Sequence, residues 1–420
     1  MRNAIAYLLL CSSMFLFTAT HAQETRRYYR TQSVHQRLLT QIDDYELARA
    51  DFQPLLDQYR NRGRFEQRTI PIIFHIVHQQ AAERISEAQI QSQVDALNLA
   101  FSQDIRSIGH PAEAKEGFRQ RQARDTYIRF CLADTSASVN YIASEVVSWT
   151  SDDAIKSSTS GGADVIAPDR YLNVWVGKFD TLHSGYAQLP LGPAATDGIA
   201  IDYRFFGTLG TAQYPFDEGK TLVHLVGNYL GLQDLWDENL PCGDDGLWDT
   251  PVHNAPNHGC PRYRHFSLCN DQPVEMSMNL MDNTHDACSY LFTWGQVLRM
   301  QAVLNVAGLR EQLGKSTPTP CENGSLAENT PLEARTSVTK ATPLLQIHPN
   351  PAQDYLHLQF EGASEAQLLL YRADGTLIQQ QQLPQFYQAK LDCSHWQAGV
   401  YFVQVIGQDF FEQQAVVLIR

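Results

Sequence analysis

Polar residues at positions 224, 228 and 234 interrupt an otherwise apolar run, TLVHLVGNYLGLQDLW, over residues 221–236. Their spacing is that of H-E-x-x-H-x-x-G-x-x-H. In that motif two histidines one helical turn apart share a face, and a glycine turns the chain so that a third ligand closes on zinc. The chemistry is hydrolytic: three protein ligands leave one metal position for water, and the glutamate takes that water's proton. Here the spacing stays and the groups change. His224 stands at the first ligand position and Gly231 at the turn, but Leu225 replaces the general base, Asn228 the second histidine and Asp234 the third. A carboxylate such as Asp234 binds zinc, whereas the neutral amide of Asn228 is a poor ligand. Leu225 cannot accept a proton, and losing a general base alone removes about 10²–10⁴ in rate. The spacing therefore predicts a hydrolytic frame that has lost its zinc and its base. A partly buried helix histidine and a polar turn residue are the plain alternatives for His224 and Asp234.

Such a site needs a helix beneath it, and Leu222, Val223, Val226 and Leu230 recur at helical spacing until Gly231 stops them. Upstream, Thr69 to Val77 reads as a buried strand from its β-branched run. Ser86 to Gln89 forms a capping box opening a helix whose Ile90, Val94, Leu97 and Phe101 face a core. Further strands are expected at Tyr127 to Ala133, Tyr171 to Val176 and Gly198 to Tyr203, with residues 148–163 a polar loop. This order predicts an α/β layer. Downstream, residues 237–288 are rich in Pro, Gly and Asn and carry four cysteines, and Thr293 to Gln296 caps a final helix through about Leu304. Residues 315–342 form a Pro/Ser/Thr-rich linker. From Leu344 short alternating strands follow (Leu356, Leu358, Phe360; Leu368, Leu370; Val400 to Val405), a small all-β sandwich.

A chain of 420 residues accommodates two or three domains, and its net charge of −14 argues against a nucleic-acid partner. Residues 1–22 read as a secretory signal, with Arg2, an apolar run from about Ile5 to Phe17, and a cut after Ala22. Nothing later would span a membrane. Cys11 after three leucines raises the alternative of a lipid-anchored cysteine. Removing it leaves seven of the 8 cysteines, an odd count that means at least one is unpaired or the assignment is incomplete. Residues 23–67 suit either a pro-segment or a solvated helix of the main domain, with an amphipathic stretch from about Leu38 to Tyr59 that Pro54 interrupts. They contain no cysteine, so no thiol from here caps a metal.

RYLNVWV (170–176), GYAQLP (185–190), PAATDGIAIDYR (193–204), CGDDGLWDTP (242–251) and MNLMDNTHDAC (278–288) carry a further signal. With the 224–234 motif they resemble the pappalysin-type metzincins, secreted zinc endopeptidases that include ulilysin. The resemblance implies a metzincin-like α/β domain over 68–314: a twisted mixed sheet, the motif helix, and a loop-rich lower half. It implies that Met281 is the Met-turn, an apolar floor beneath the metal position. Two residues on, where the family usually carries a transition-state tyrosine, stands Asn283. The order of the four loop cysteines matches the family's two disulfides, Cys242–Cys269 and Cys260–Cys288; a four-cysteine zinc cluster is the rival, though no C-x-x-C pair exists. Asp245, Asp249 and Thr250 match its structural calcium loop, with a solvated turn as the alternative. Residues 343–420, with Pro349-Asn350-Pro351, YRADGTLI (371–378) and GVYFVQV (399–405), resemble the type IX secretion sorting domain of Bacteroidetes. A carbohydrate-binding sandwich is the alternative, but Trp396 alone makes no aromatic platform. Together these imply an exported protein handled by the type IX machinery. It is expected to bind a peptide or protein without cleaving it; an active zinc endopeptidase with substituted ligands is the competing reading.

Overall fold

The computed structural model describes residues 26–42, 45, 54, 65–102, 118, 121–123, 125–180, 183–237, 240–306, 308, 310–315 and, toward the C-terminus, 344–350, 352–361, 366–372, 377–384, 386–406 and 411–418. The expected secretory signal with Cys11, most of the expected pro-segment beyond Ile42, and the expected linker with Cys321 lie outside the described residues.

The first body is organised on a six-stranded sheet: β1 (Arg68–His78), β2 (Ile128–Leu132), β3 (Val139–Ala143), β4 (Leu172–Gly177), β5 (Gly185–Ala187) and β6 (Ile199–Asp202). Its order is β2-β1-β4-β6-β5, with β3 also pairing β1; every pairing is parallel except β5 on β6. The sheet is mixed because one short edge strand runs backwards. Ile70 through Val77 of β1 is buried throughout, as a central strand covered on both faces requires.

Helix α1 (Thr31–Gln41) lies N-terminal to the sheet. It buries Thr31, Val34 and Leu38, while most of the amphipathic stretch expected from about Leu38 to Tyr59 lies outside the described residues. Val34 and Leu38, with Tyr45, share a core with Trp149, Ile155, Trp175, Phe179 and Tyr186. Burial of each aliphatic side chain contributes about 1.5–3 kcal/mol. Arg37 of α1 pairs with Asp153, which also holds the buried Lys156 at 2.9 Å. The stretch 148–163, expected as a loop, is irregular, with two short 3-10 turns, Ala154–Lys156 and Ser158–Ser160. It nevertheless supplies Trp149 and Ile155 to this core.

Helix α2 (Glu87–Ser102) buries Ile90, Val94, Leu97 and Phe101 as expected. Its capping box is only half made. Gln89 N donates to Ser86 Oγ at 3.2 Å, but the Gln89 side chain turns away to Phe206 O and Thr211 Oγ1, both at 2.8 Å. Helix α3 (Lys220–Tyr229) is the motif helix, buried from Thr221 to Tyr229. Helix α4 (Trp294–Asn305) opens with the complete Thr293/Gln296 box. Between α3 and α4 the loops are cross-linked by Cys242–Cys269 and Cys260–Cys288. Cys131 is also disulfide-bonded, while Cys393 is buried in the C-terminal module.

The C-terminal module has β7 (Leu344–His348), β8 (Tyr355–Glu361), β9 (Ala366–Arg372), β10 (Leu377–Leu383), β11 (Phe386–Asp392), β12 (Gly399–Ile406) and β13 (Phe411–Leu418). They form antiparallel sheets ordered β10-β9-β12-β13 and β11-β8-β7. Alternate residues Leu356, Leu358, Phe360, Leu368, Leu370, Val403 and Val405 fill one core, as the alternation predicts. No helix among the described residues is long and apolar enough to cross a membrane.

Candidate active site

α3 ends where the sequence says it should. Gly231 takes φ +89°, a left-handed conformation that turns the chain back beneath the helix. One turn earlier, a Cβ on Gly227 would lie 2.5 Å from Met281 Sδ. The fully buried Met281 thus packs under α3 where a Met-turn floor is expected.

The spacing brings His224, Asn228 and Asp234 together, but as partners of one another. His224 Nδ1 lies 3.0 Å from Leu280 O and its Nε2 lies 2.9 Å from Asp234 Oδ1. Both ring nitrogens face oxygen atoms of the protein. Asn228 Nδ2 donates to the same Asp234 Oδ1 at 3.0 Å and to Leu232 O at 3.3 Å. Its Oδ1 accepts from Thr31 Oγ1 at 3.0 Å, which fixes the amide with nitrogen toward Asp234. Leu225 is buried in the main core, close enough to Gly185 that a Cβ there would meet Leu225 Cδ1 at 2.7 Å. Asn283 donates from Nδ2 to Arg27 O at 3.2 Å, with its buried Oδ1 unpartnered.

The site holds further residues that no motif marks. Residues 27–31 lie across the site. The Tyr29 ring stacks on His224 with centroids 3.8 Å apart and planes 8° from parallel, and burial raises its hydroxyl pKa above the ordinary phenol range. Arg27 is buried, donating to Asp286 Oδ1 at 2.8 Å and to Thr284 O, with its guanidinium 4.5 Å from the Phe216 ring centroid. Asp286 also accepts from Glu218 N at 2.9 Å; burial pushes its carboxyl up against the pull of Arg27. Only Asp286 was visible beforehand, as one letter of the MNLMDNTHDAC block. Thr31, Asn228, Asp234, Trp236 and Asp244 line the small cavity left beside the site, about 30 Å³, room for about one water.

The other expected metal site is divided by the fold. Asp245 is buried, with Oδ1 accepting from Thr250 Oγ1 at 2.6 Å and Leu247 N at 3.1 Å, while Oδ2 has no hydrogen-bond partner. Burial raises its carboxyl to about 7. Asp249 turns elsewhere, accepting from Thr293 Oγ1 at 2.9 Å and Gly295 N at 2.6 Å at the start of α4. It serves as a helix-end anchor there. Among the described residues no group of three or more His, Cys, Asp or Glu is placed to hold a metal.

A second polar cluster lies behind Met281. Asn257 Nδ2 donates to Glu275 Oε2 at 2.8 Å and Asp282 Oδ2 at 2.9 Å, and His253 Nε2 accepts from Met276 N at 3.0 Å. Burial lowers His253 to about 4 and raises Asp282 to about 7.

Comparison with known proteins places this geometry. A family model described as pregnancy-associated plasma protein-A matches residues 157–305. Tannerella forsythia promirolysin superposes with a TM-score of 0.61 at 30% identity, covering 69% of this chain and 97% of that one. Mature mirolysin of the same organism, solved with a cleaved peptide, gives 0.57 at 32%, covering 61% and 99%. The chain belongs to the pappalysin-type metzincin family. Among curated pappalysin-type relatives, the extracellular metalloprotease of Arthroderma gypseum is 27% identical over 243 residues, 56% of this chain and 71% of its own. That of Arthroderma benhamiae is 40% identical over 95 residues, 22% of this chain, and the match covers only 31% of that relative. A second model, a secretion system C-terminal sorting domain, matches residues 346–418. This pappalysin-family chain is therefore an exported, extracellular protein carrying a type IX sorting module.

Proposed function

We propose that this secreted pappalysin-family protein does not hydrolyse peptide bonds and acts by binding a peptide or protein. The observation that carries this reading is the double hydrogen bond into Asp234 Oδ1 from His224 Nε2 and Asn228 Nδ2. Zinc does not fit this donor set. One imidazole and one carboxylate are competent ligands, and they are hydrogen-bonded to each other. The third group offers an amide N–H, which donates and cannot ligate. At the base position Leu225 is apolar and packed. Water activation and proton removal have no residue here to perform them.

β5 ends the sheet, and its outer edge pairs here with an extended segment, Tyr28 to Arg30. Mature mirolysin, solved with a cleaved peptide, supports a peptide as the ligand class. Calcium is proposed separately at Asp245, whose unpartnered, buried Oδ2 suits a hard cation. Asp249, with both oxygens engaged, would not join it.

The test is restoration. Purified natural protein supplied with zinc should leave gelatin intact. The Leu225→Glu, Asn228→His, Asp234→His, Asn283→Tyr variant should gain zinc-dependent cleavage. Cleavage by the natural protein that chelators abolish would sink the silent-site reading.

A further inference from the structure

We infer that residues 27–31 are a resident ligand of the cleft, held by side chains that replace the zinc machinery. They would be a fixed part of the domain and not a segment that leaves when the chain is cut.

The backbone supplies the first ground. Tyr29 pairs in parallel with Gly185 on the edge strand β5. Arg30 N donates to Gly185 O at 3.0 Å, and Ser184 N donates to Tyr28 O at 2.9 Å. Tyr28 N in turn donates to Ser184 Oγ at 2.9 Å. These contacts cover an edge that would otherwise be open to pairing.

The substituted positions supply the second. Asn228 turns its Oδ1 to the Thr31 hydroxyl, and that hydroxyl accepts from Ala187 N at 3.2 Å. Asn283 holds the Arg27 carbonyl. Asp234 takes up the Nε2 edge of His224, leaving the ring face to Tyr29. A metal-binding triad would turn all three groups inward to one ion; here one of them points outward to the segment. Two of the residues that end the hydrolytic chemistry are therefore those that grip residues 27–31.

The third is the anchor behind the segment. α1 continues from Thr31 and buries Val34 and Leu38 in the core that holds Trp149 and Trp175, with Arg37 fixed to Asp153. An external ligand thus meets a filled cleft, and its apparent affinity falls by the fraction of molecules in which residues 27–31 have left. Occupancy of the cleft is read out without any substrate, so residues 27–31 leaving freely would be distinct from cleavage by the natural protein.

The experiment uses the full chain with a specific endoprotease sequence inserted between positions 46 and 53, cut after purification. Gel filtration with mass spectrometry should show the N-terminal fragment eluting with the body at micromolar concentration. Thr31→Val and Asn283→Ala should each speed its release about tenfold, the effect of one lost hydrogen bond, and Thr31→Ser should restore slow release. Immediate loss of the natural fragment on cutting, or release rates unmoved by both variants, would overturn the proposal. A second readout serves if the insertion disturbs folding: in the uncut natural chain, the Arg30 and Ser184 amides should exchange as slowly as those pairing β5 with β6. Fast exchange at both would equally overturn it.

Discussion

Two clusters in this molecule are built from the same parts. His224, Asn228 and Asp234 meet at the cleft; His253, Asn257 and Asp282, joined by Glu275, meet behind Met281. In each, histidine and asparagine are four residues apart and the asparagine amide feeds a carboxylate. They differ in surroundings. The cleft cluster keeps Asp234 14% exposed and receives a hydroxyl from the N-terminal segment, whereas both His253 and Asp282 are fully buried. Burial drives the titration of the second cluster away from ordinary values and commits it to holding the Met-turn. Identical residue types meet the N-terminal segment in one place and form an internal brace in the other, and burial separates the two.

Breaking the brace should cost most. Asn257→Ala strips hydrogen bonds from two buried carboxylates, and chemical denaturation should show a loss of about 3 kcal/mol. Asp245 is a third buried carboxylate, with no partner for Oδ2. Calcium at a hundredfold excess over its Kd should raise stability by about 2.7 kcal/mol, and Asp245→Asn should abolish that gain. Because burial raises Asp245 from 3.8 to about 7, its ionisation penalises the fold as pH rises through that window. In chelator above pH 7 the Asn variant should therefore be more stable than the natural chain.

The brace also carries a pH signature. Asp282, raised from 3.8 to about 7, contributes stability that is lost as pH rises through that range. His253, lowered from 6.5 to about 4, contributes stability that is lost as pH falls through its own range. Across their overlap the two slopes oppose each other. Asp282→Asn should leave the histidine slope alone, so stability rises with pH there by about 1.4 kcal/mol per unit more than in the natural chain. Asn228→Ala in the cleft should cost only about 1 kcal/mol, the smallest of these effects. A cost equal to that of Asn257→Ala would erase the distinction between cleft and brace.

Much of the frame was legible in the sequence because it rests on local rules. The α3 register, the turn at Gly231, the box at Thr293 and the β1 run all follow from spacing and residue type, whereas Met281 beneath the helix came with the family resemblance. The cysteine pairings came with the family pattern. What escaped depends on partners distant in sequence. β5 is three residues long, too short to carry a periodic signal. Gln89 left its box because Phe206 O and Thr211 offered better partners across the fold. Asp249 looked like a calcium carboxylate until Gly295 N came within 2.6 Å. Nothing in residues 27–31 marks them as cleft occupants, since Tyr29 meets His224 only when the sheet edge brings them together.

Metal content is the most direct test of the silent site. Natural protein, loaded with zinc, dialysed and assayed by mass spectrometry, should retain no stoichiometric zinc, because His224 and Asp234 satisfy each other and Asn228 cannot complete the set. Zinc near one per chain, lost on His224→Ala, would contradict that and return the protein to the active members of its family.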